Sequence, residues 1–176
     1  MRYFSELKRS MEFIAKNKNT FFIGQAVEEQ GSGMRNTLKG VNKKKLLELP
    51  VAEEMQMGIT IGMLMKNYIP VSIFPRWNFL ILALNQLVNH LDKLPEMTNN
   101  YYSSKAIIRT SIGSQRPLHP QSQHVSDFTR SVNMMTKSIT VVKLNEPKQI
   151  FSEYKKALNR KTSTILVEYG DYYNEK

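Results

Sequence analysis

The feature that most constrains this chain is alternation: runs with apolar residues at helical spacing repeatedly give way to short, β-rich apolar runs. Tyr3 to Lys16 places Phe4, Leu7, Met11, Phe13, Ile14 and Ala15 at roughly helical spacing, and Thr20 to Val27 follows as a strand ending near Gly24. The polar, Gly-containing stretch from Glu28 to Lys45 reads as a long loop, of the kind that in compact domains carries function more often than mere connection. Glu53 to Lys66 is then a helix with Pro50 just ahead, and Ile69 to Phe74 a short strand. Trp77 to Leu94 reads as a second long helix, with Leu80, Leu84, Leu87, Leu91 and Leu94 on one stripe. Ala106 to Thr110 and Ile139 to Leu144 read as strands, Pro147 to Leu158 as a helix opening on a favoured proline, and Thr164 to Tyr169 as a last strand. This order predicts a three-layer α/β domain, a mostly parallel sheet with helices on both faces and binding groups in loops at the carboxyl ends of strands.

The length of 176 residues suits one domain spanning 1–176, and no Pro- or Ser-rich linker divides it. With no cysteine, disulfides and thiolate metal sites are excluded. Met1 to Lys18 lacks the uninterrupted apolar core of a secretory signal, and no stretch approaches the ~18 apolar residues of a spanning helix. A cytoplasmic protein with no membrane partner is expected. The net charge of +10 invites comparison with nucleic-acid binders. Its local runs, Lys43 to Lys45 and Lys155, Lys156, Arg160 and Lys161, carry no interleaved aromatics and no recognition motif, so they read as solvated faces and no nucleic-acid partner is expected.

Between Pro50 and Lys93 the residues become specific. Pro50-Val51-Ala52-Glu53 leads into a helix with Gly58 and Gly62, and Pro70, Phe74, Asn78-Phe79, Ala83, Gln86, Asn89 and Lys93 follow. This run resembles, without a gap, the pyrimidine-binding domain of transketolase-like thiamine-diphosphate enzymes. It is most similar to the N-terminal domain of the beta subunits of 2-oxo acid dehydrogenases, the pyruvate dehydrogenase first component among them. Phe21-Phe22-Ile23-Gly24 resembles the family's first strand, Arg109 and Gly113 keep matching places downstream, and Ile165-Leu166-Val167-Glu168 resembles the final strand with its closing acid.

The resemblance implies a beta-type subunit acting on a 2-oxo acid or ketose with thiamine diphosphate and magnesium as cofactors. Glu53 takes the place of the acid that shares a proton with the cofactor's aminopyrimidine ring nitrogen. Read from its position alone, Glu53 is an acid favoured at a helix N-terminus, as is Glu54. Phe79 matches the aromatic residue that contacts the aminopyrimidine, beside Asn78 as a second cofactor contact; from spacing alone Phe79 is an ordinary core residue. Trp77 is an alternative platform or a partner-interface tryptophan. The family's Gln-His-Ser-Gln motif is degraded here to Gln123-His124-Val125-Ser126, so His124, with His119 as alternative, is the candidate acid or base toward the reacting cofactor. His90 is assigned a structural role.

Two departures stand out. The family's Gly-Glu-Asp-Val segment is Gly24-Gln25-Ala26-Val27 here, and the Gly-Asp-Gly and asparagine motif that binds magnesium and diphosphate is missing, Gly170-Asp171-Tyr172 lacking its second glycine. Neither a diphosphate-binding domain nor a C-terminal transketolase domain is expected within 1–176. The diphosphate half is therefore expected from an alpha-type partner chain, in a homo- or hetero-oligomer. The alternative is a non-catalytic relative that keeps the fold as a binding or scaffold subunit.

Overall fold

The apolar runs pair into one sheet of six parallel strands: β1 (Thr20–Gly24), β2 (Leu46–Glu48), β3 (Ile69–Ile73), β4 (Ile107–Ile112), β5 (Thr140–Lys143) and β6 (Thr164–Tyr169). Their spatial order is β2-β1-β3-β4-β6-β5. This computed structural model describes residues 2–28, 32–116 and 119–175. Every parallel neighbour needs a crossover, and the helices that supply these crossovers cover both faces, which makes the three-layer α/β architecture expected from the sequence.

On one face lie α1 (Tyr3–Ala15) and α7 (Pro147–Asn159), whose Leu7, Met11, Ile14 and Ile150 pack with Phe22, Val71, Ile107 and Leu166 of the strands. On the other lie α3 (Glu53–Met65) and the helical segment that starts at Trp77; here Met57, Leu64, Trp77 and Leu87 pack with Ile108, Ile165 and Val167. Successive strand residues face opposite sides, so neighbours such as Ile107 and Ile108 belong to different cores. Short helices fill the connections: α2 (Gly33–Asn36), α5 (Leu94–Met97), α6 (Thr129–Met135) and α8 (Tyr172–Glu175).

Three expectations change. β2 lies just past the stretch read as a long loop, which itself holds α2 and a 3-10 turn at Lys43–Lys45. The segment expected as one helix from Trp77 to Leu94 is continuously helical from Trp77 to Leu91 but changes its winding along the way, from α4 (Trp77–Leu80) through a 3-10 turn (Ile81–Ala83) to a π segment (Gln86–Leu91). In consequence Leu84 of the expected stripe is only half-buried, while Ala83 beside it is fully buried. Asp92, which ends the segment, accepts backbone hydrogen bonds from Lys137 (2.9 Å), Ser138 (2.8 Å) and Ile139 (3.2 Å) and a hydroxyl bond from Ser138 (2.8 Å). Trp77 is fully buried in the core, so it is neither a cofactor platform nor an interface residue of this chain.

A polar network is sealed into the α1/α7 face. Arg109 of β4 donates from Nε (2.7 Å) and Nη2 (3.0 Å) to the Glu168 carboxylate on the neighbouring β6, both side chains fully buried. Tyr154 of α7 and Tyr173 of α8 each donate a hydroxyl to that carboxylate at 2.5 Å, and Thr37 Oγ1 accepts from Arg109 Nη2 at 3.1 Å. Burial presses the Arg109 charge down, but the Glu168 carboxylate more than reverses this and raises its pKa; burial also raises the Tyr154 hydroxyl.

Two predictions follow from these buried acids. Replacing Glu168 with Leu strands a buried guanidinium and two buried hydroxyls, and chemical denaturation should show a loss of about 3–5 kcal/mol; a loss under about 1 kcal/mol contradicts the network's role. At Asp92 burial pushes the carboxyl up, but the hydrogen bonds from Lys137, Ser138 and Ile139 outweigh it and hold the pKa below the usual value. A depressed folded pKa means stability that is present above the unfolded value of about 3.9 and is lost as pH falls through the lower folded value. Asp92→Asn should therefore destabilise by roughly 1.5–3 kcal/mol near neutrality, and the gap to the unaltered chain should narrow in denaturation curves taken below about pH 4. A gap that stays constant down to acid unfolding contradicts this assignment.

Candidate functional site

The site is built where β1 ends. Gly24 has φ +127°, and a Cβ there would lie 2.4 Å from both the Gln56 Nε2 and the Ile73 carbonyl oxygen, so only glycine fits. Into that gap Gln56 of α3 sends its amide, donating to Ser72 Oγ (3.0 Å) and the Ile73 carbonyl (2.9 Å) of β3. Thr60, a turn further along α3, also bonds Ser72 Oγ at 3.0 Å. These contacts lock α3 onto the sheet.

Glu53 lies three residues before Gln56, on the same face of α3, and is therefore turned inward and only 5% exposed. Its Oε1 accepts from Gln25 Nε2 at 3.0 Å. Gln25 follows Gly24 directly and is itself buried, its backbone N–H donating to the Ile73 carbonyl at 3.2 Å. The loop beyond is pinned by Glu48 at the end of β2, whose carboxylate accepts from the backbone of Ala26 (2.9 Å), Val27 (2.6 Å) and Glu28 (2.7 Å). Glu54, by contrast, is exposed and accepts only long bonds from Asn85 (3.3 Å) and Gln86 (3.4 Å).

Of the other three candidates, Asn78 and Phe79 lie on α4 and His124 reaches Phe79 from a distant loop. Phe79 stacks on the His124 imidazole, with ring centres 5.1 Å apart at an interplanar angle of 25°. Arg76 ties the two chain segments together, Nη1 donating to the His124 carbonyl at 3.0 Å, while His124 adopts φ +58°. Asn78 Oδ1 and His124 Nδ1 are buried without hydrogen-bond partners, leaving polar valences that a ligand could fill. His119 is exposed, its Nδ1 accepting from the Gln121 backbone at 2.9 Å.

Phe79 and His124 thus form one cluster, with Asn78 next to Phe79 in the chain, and Glu53 with Gln25 form another. The helices that carry them, α3 and the segment from Trp77, pack against each other. Among the described residues no group of three or more His, Asp or Glu side chains could hold a metal ion. Gln56 and Arg76 were not singled out in the sequence. The three-residue offset from Glu53 would have pointed to Gln56, whereas Arg76 acts through a loop 48 residues away and left no local signal.

No family model matches the chain. It is 25% identical over 170 residues to the pyruvate dehydrogenase E1 component subunit beta of Cyanidium caldarium, covering 94% of this chain and 50% of that protein. It is 26% identical over 170 residues to the chloroplastic subunit beta-3 of Arabidopsis thaliana (94% and 41% covered), and 23% identical over 117 residues to the 2-oxoisovalerate dehydrogenase subunit beta of Bacillus subtilis (64% and 36% covered). The chain spans about half the length of the curated relatives it matches. Among solved structures it is similar to a split-gene transketolase, an inactive beta4 tetramer, with a TM-score of 0.75 at 11% identity, over 97% of this chain and 52% of that one. A transketolase from Campylobacter jejuni gives a TM-score of 0.69 at 11% identity, over 94% and 25%.

Proposed function

We propose, from the premise that this chain is a transketolase-like pyrimidine domain related to pyruvate dehydrogenase E1 beta subunits, that it serves as the beta-type subunit of a thiamine-diphosphate enzyme acting on a 2-oxo acid or ketose. The observation that carries this reading is Glu53, an acid at a helix start, turned inward and held by a neutral amide. When bound, thiamine diphosphate supplies a carbon nucleophile that side chains lack. Glu53 would hold a proton at the aminopyrimidine ring nitrogen, with Gln25 fixing the carboxylate so that one oxygen faces the ring. Phe79 would lie against the flat ring, an arrangement worth about 0.5–1.5 kcal/mol beyond burial. One of its faces is taken by His124, so the ring takes the other face or the place of the imidazole. Asn78 Oδ1, buried and unpartnered, offers an acceptor to a ring donor, and His124 Nδ1 offers a place to hold or move a proton.

The residues present fit the aminopyrimidine end of the cofactor. Among the described residues no cluster that could hold magnesium occurs, and this reading assigns the metal and the diphosphate to an alpha-type partner carrying the Gly-Asp-Gly and asparagine motif, with residues 1–176 acting as the pyrimidine domain alone. Val51, Met55 and Leu82, exposed around the start of α3 and on the turn packed against it, give such a partner an apolar surface to cover. The stack of His124 on Phe79 favours a second reading, in which the chain is a non-catalytic scaffold whose ring site is filled by its own side chain.

Reconstitution with the partner, thiamine diphosphate and magnesium separates the two. Turnover of a panel of 2-oxo acids and ketoses should fall about 10²-fold or more in Glu53→Gln, while cofactor affinity changes less than about tenfold. Glu54→Gln, on the exposed side of the same turn, should stay within about twofold. Full turnover in Glu53→Gln overturns the catalytic assignment, and a complex that never uses the cofactor establishes the scaffold.

A further inference from the structure

We infer that the amino-terminal edge of the sheet, opposite the candidate cofactor site, is a docking surface for an acidic, partly apolar segment of a partner polypeptide. All six strands are parallel, so all of them begin on that edge. Each is entered from a lysine no more than three residues ahead: in spatial order Lys45 for β2, Lys18 for β1, Lys66 for β3, Lys105 for β4, Lys161 for β6 and Lys137 for β5. Strands about 4.8 Å apart set these lysines in a row roughly 24 Å long.

The charge of the chain is concentrated there. The stretches that lead into the strands, 16–19, 43–45, 66–68, 92–106, 136–139 and 160–163, hold eleven Lys and Arg and two acids. That is a formal +9 against +10 for the whole chain, so the remaining residues are close to neutral. Helix dipoles account for only a small part of it. The helices α1, α3 and α7 end on this edge, each with about half a negative charge at its carboxyl terminus. Lys45 serves one of them, its Nζ donating to the Ala15 (2.8 Å) and Asn17 (2.5 Å) carbonyls. Of the two acids, Asp92 is occupied by the backbone of Lys137, Ser138 and Ile139. Among the described residues Arg160 alone of the eleven cations reaches a carboxylate, that of Glu153 at 3.9 Å. Lys18, Lys66, Lys137 and Lys161 are exposed. A field of one sign on this scale steers an oppositely charged partner to the surface and speeds its association.

The same edge selects a polypeptide over other polyanions. Met65 and Tyr68 flank Lys66, and Met97 and Tyr101 lie between Lys93 and Lys105 in the chain, all four exposed. Met and aromatic residues are enriched in protein–protein interfaces. Helix carboxyl ends also present carbonyls that accept N–H donors. A polypeptide brings carboxylates, amide donors and apolar side chains together, whereas a phosphodiester backbone brings charge without an N–H. The lysines of this surface are scattered over six segments of the sequence, and the parallel sheet collects them.

Fluorescence anisotropy of the chain, without thiamine diphosphate, tests this with a labelled peptide of repeated Glu-Leu-Glu-Glu units. Saturable binding that weakens as salt rises is expected. The peptide with Gln in place of every Glu should bind at least about tenfold more weakly, as should the acidic peptide to Lys18→Glu/Lys66→Glu. Lys18→Gln/Lys66→Gln, which removes charge without reversing it, should weaken binding by a smaller factor and covers the case in which charge reversal disturbs the fold. Arg2→Glu/Lys148→Glu makes the same change in net charge at exposed positions by the amino ends of α1 and α7, and should stay within about twofold. An oligodeoxythymidylate of matching length and vesicles rich in phosphatidylserine should bind more weakly than the peptide. The inference is overturned if the peptide does not saturate, if the Gln peptide binds equally well, or if neither Lys18/Lys66 variant weakens binding. It is equally overturned if Arg2→Glu/Lys148→Glu weakens binding as much, or if the oligonucleotide or the vesicles bind more tightly. With no cofactor in the titration, its outcome is independent of the thiamine-diphosphate reading.

Discussion

The amide of Gln56, inserted beside a glycine, is the contact on which the arrangement of this site depends. Gly24 at the end of β1 leaves space that any side chain would fill, and through that space Gln56 reaches the Ile73 carbonyl and Ser72 Oγ of β3. Two strands and one helix are thereby held at a single point. Because helical residues three apart share a face, the same contact turns Glu53 inward, where Gln25 from the strand end meets its carboxylate. A buried hydrogen bond contributes only about 1 kcal/mol net, but an amide left unpaired in this position would cost more than that, so the geometry is strongly specified even though its net stabilisation is modest.

The two faces of the sheet divide the work between stability and chemistry. On the α1/α7 face, the Arg109–Glu168 pair joins β4 to β6 and draws in Tyr154, Tyr173 and Thr37, elements distant in the chain. A pair so fully desolvated gains little over well-packed apolar residues, but it tolerates the loss of neither partner. On the α3 face the contacts of Glu53, Asp92 and Arg76 each pair a single charged group with neutral partners, and two unpartnered groups there, Asn78 Oδ1 and His124 Nδ1, lie at the carboxyl end of the sheet. Parallel strands place all their carboxyl ends on that edge, which is why the candidate cofactor site opens there.

Much of this was legible in the sequence. Long periodic runs gave α1, α3 and α7 to within a residue or two, and β6 at both of its ends, because each presents enough residues for its period to show. β2 escaped because three residues after a lysine run, with Leu47 half-exposed, carry no alternation to detect. The helix from Trp77 was read correctly as far as Leu91, but its change to a π winding escaped because the clearest correlate is tertiary: Asp92 at its end is clamped by backbone groups 45 to 47 residues away. Trp77 was misjudged because an aromatic residue beside a candidate site looks the same in sequence whether it faces a ligand or a core. Glu53, Asn78, Phe79 and His124 came from resemblance to a family, and the stack of His124 on Phe79 had no sequence signal, joining a loop to a helix 45 residues earlier in the chain.

The account's central claim concerns where an aminopyrimidine ring sits, and a crystal structure of this chain with its diphosphate-binding partner and thiamine diphosphate measures it directly. The account predicts the ring against Phe79, with a Glu53 carboxylate oxygen within about 3 Å of a ring nitrogen and Asn78 beside it. A ring bound elsewhere, or a complex in which His124 stays on Phe79 and Glu53 stays bonded to Gln25 alone, would contradict it.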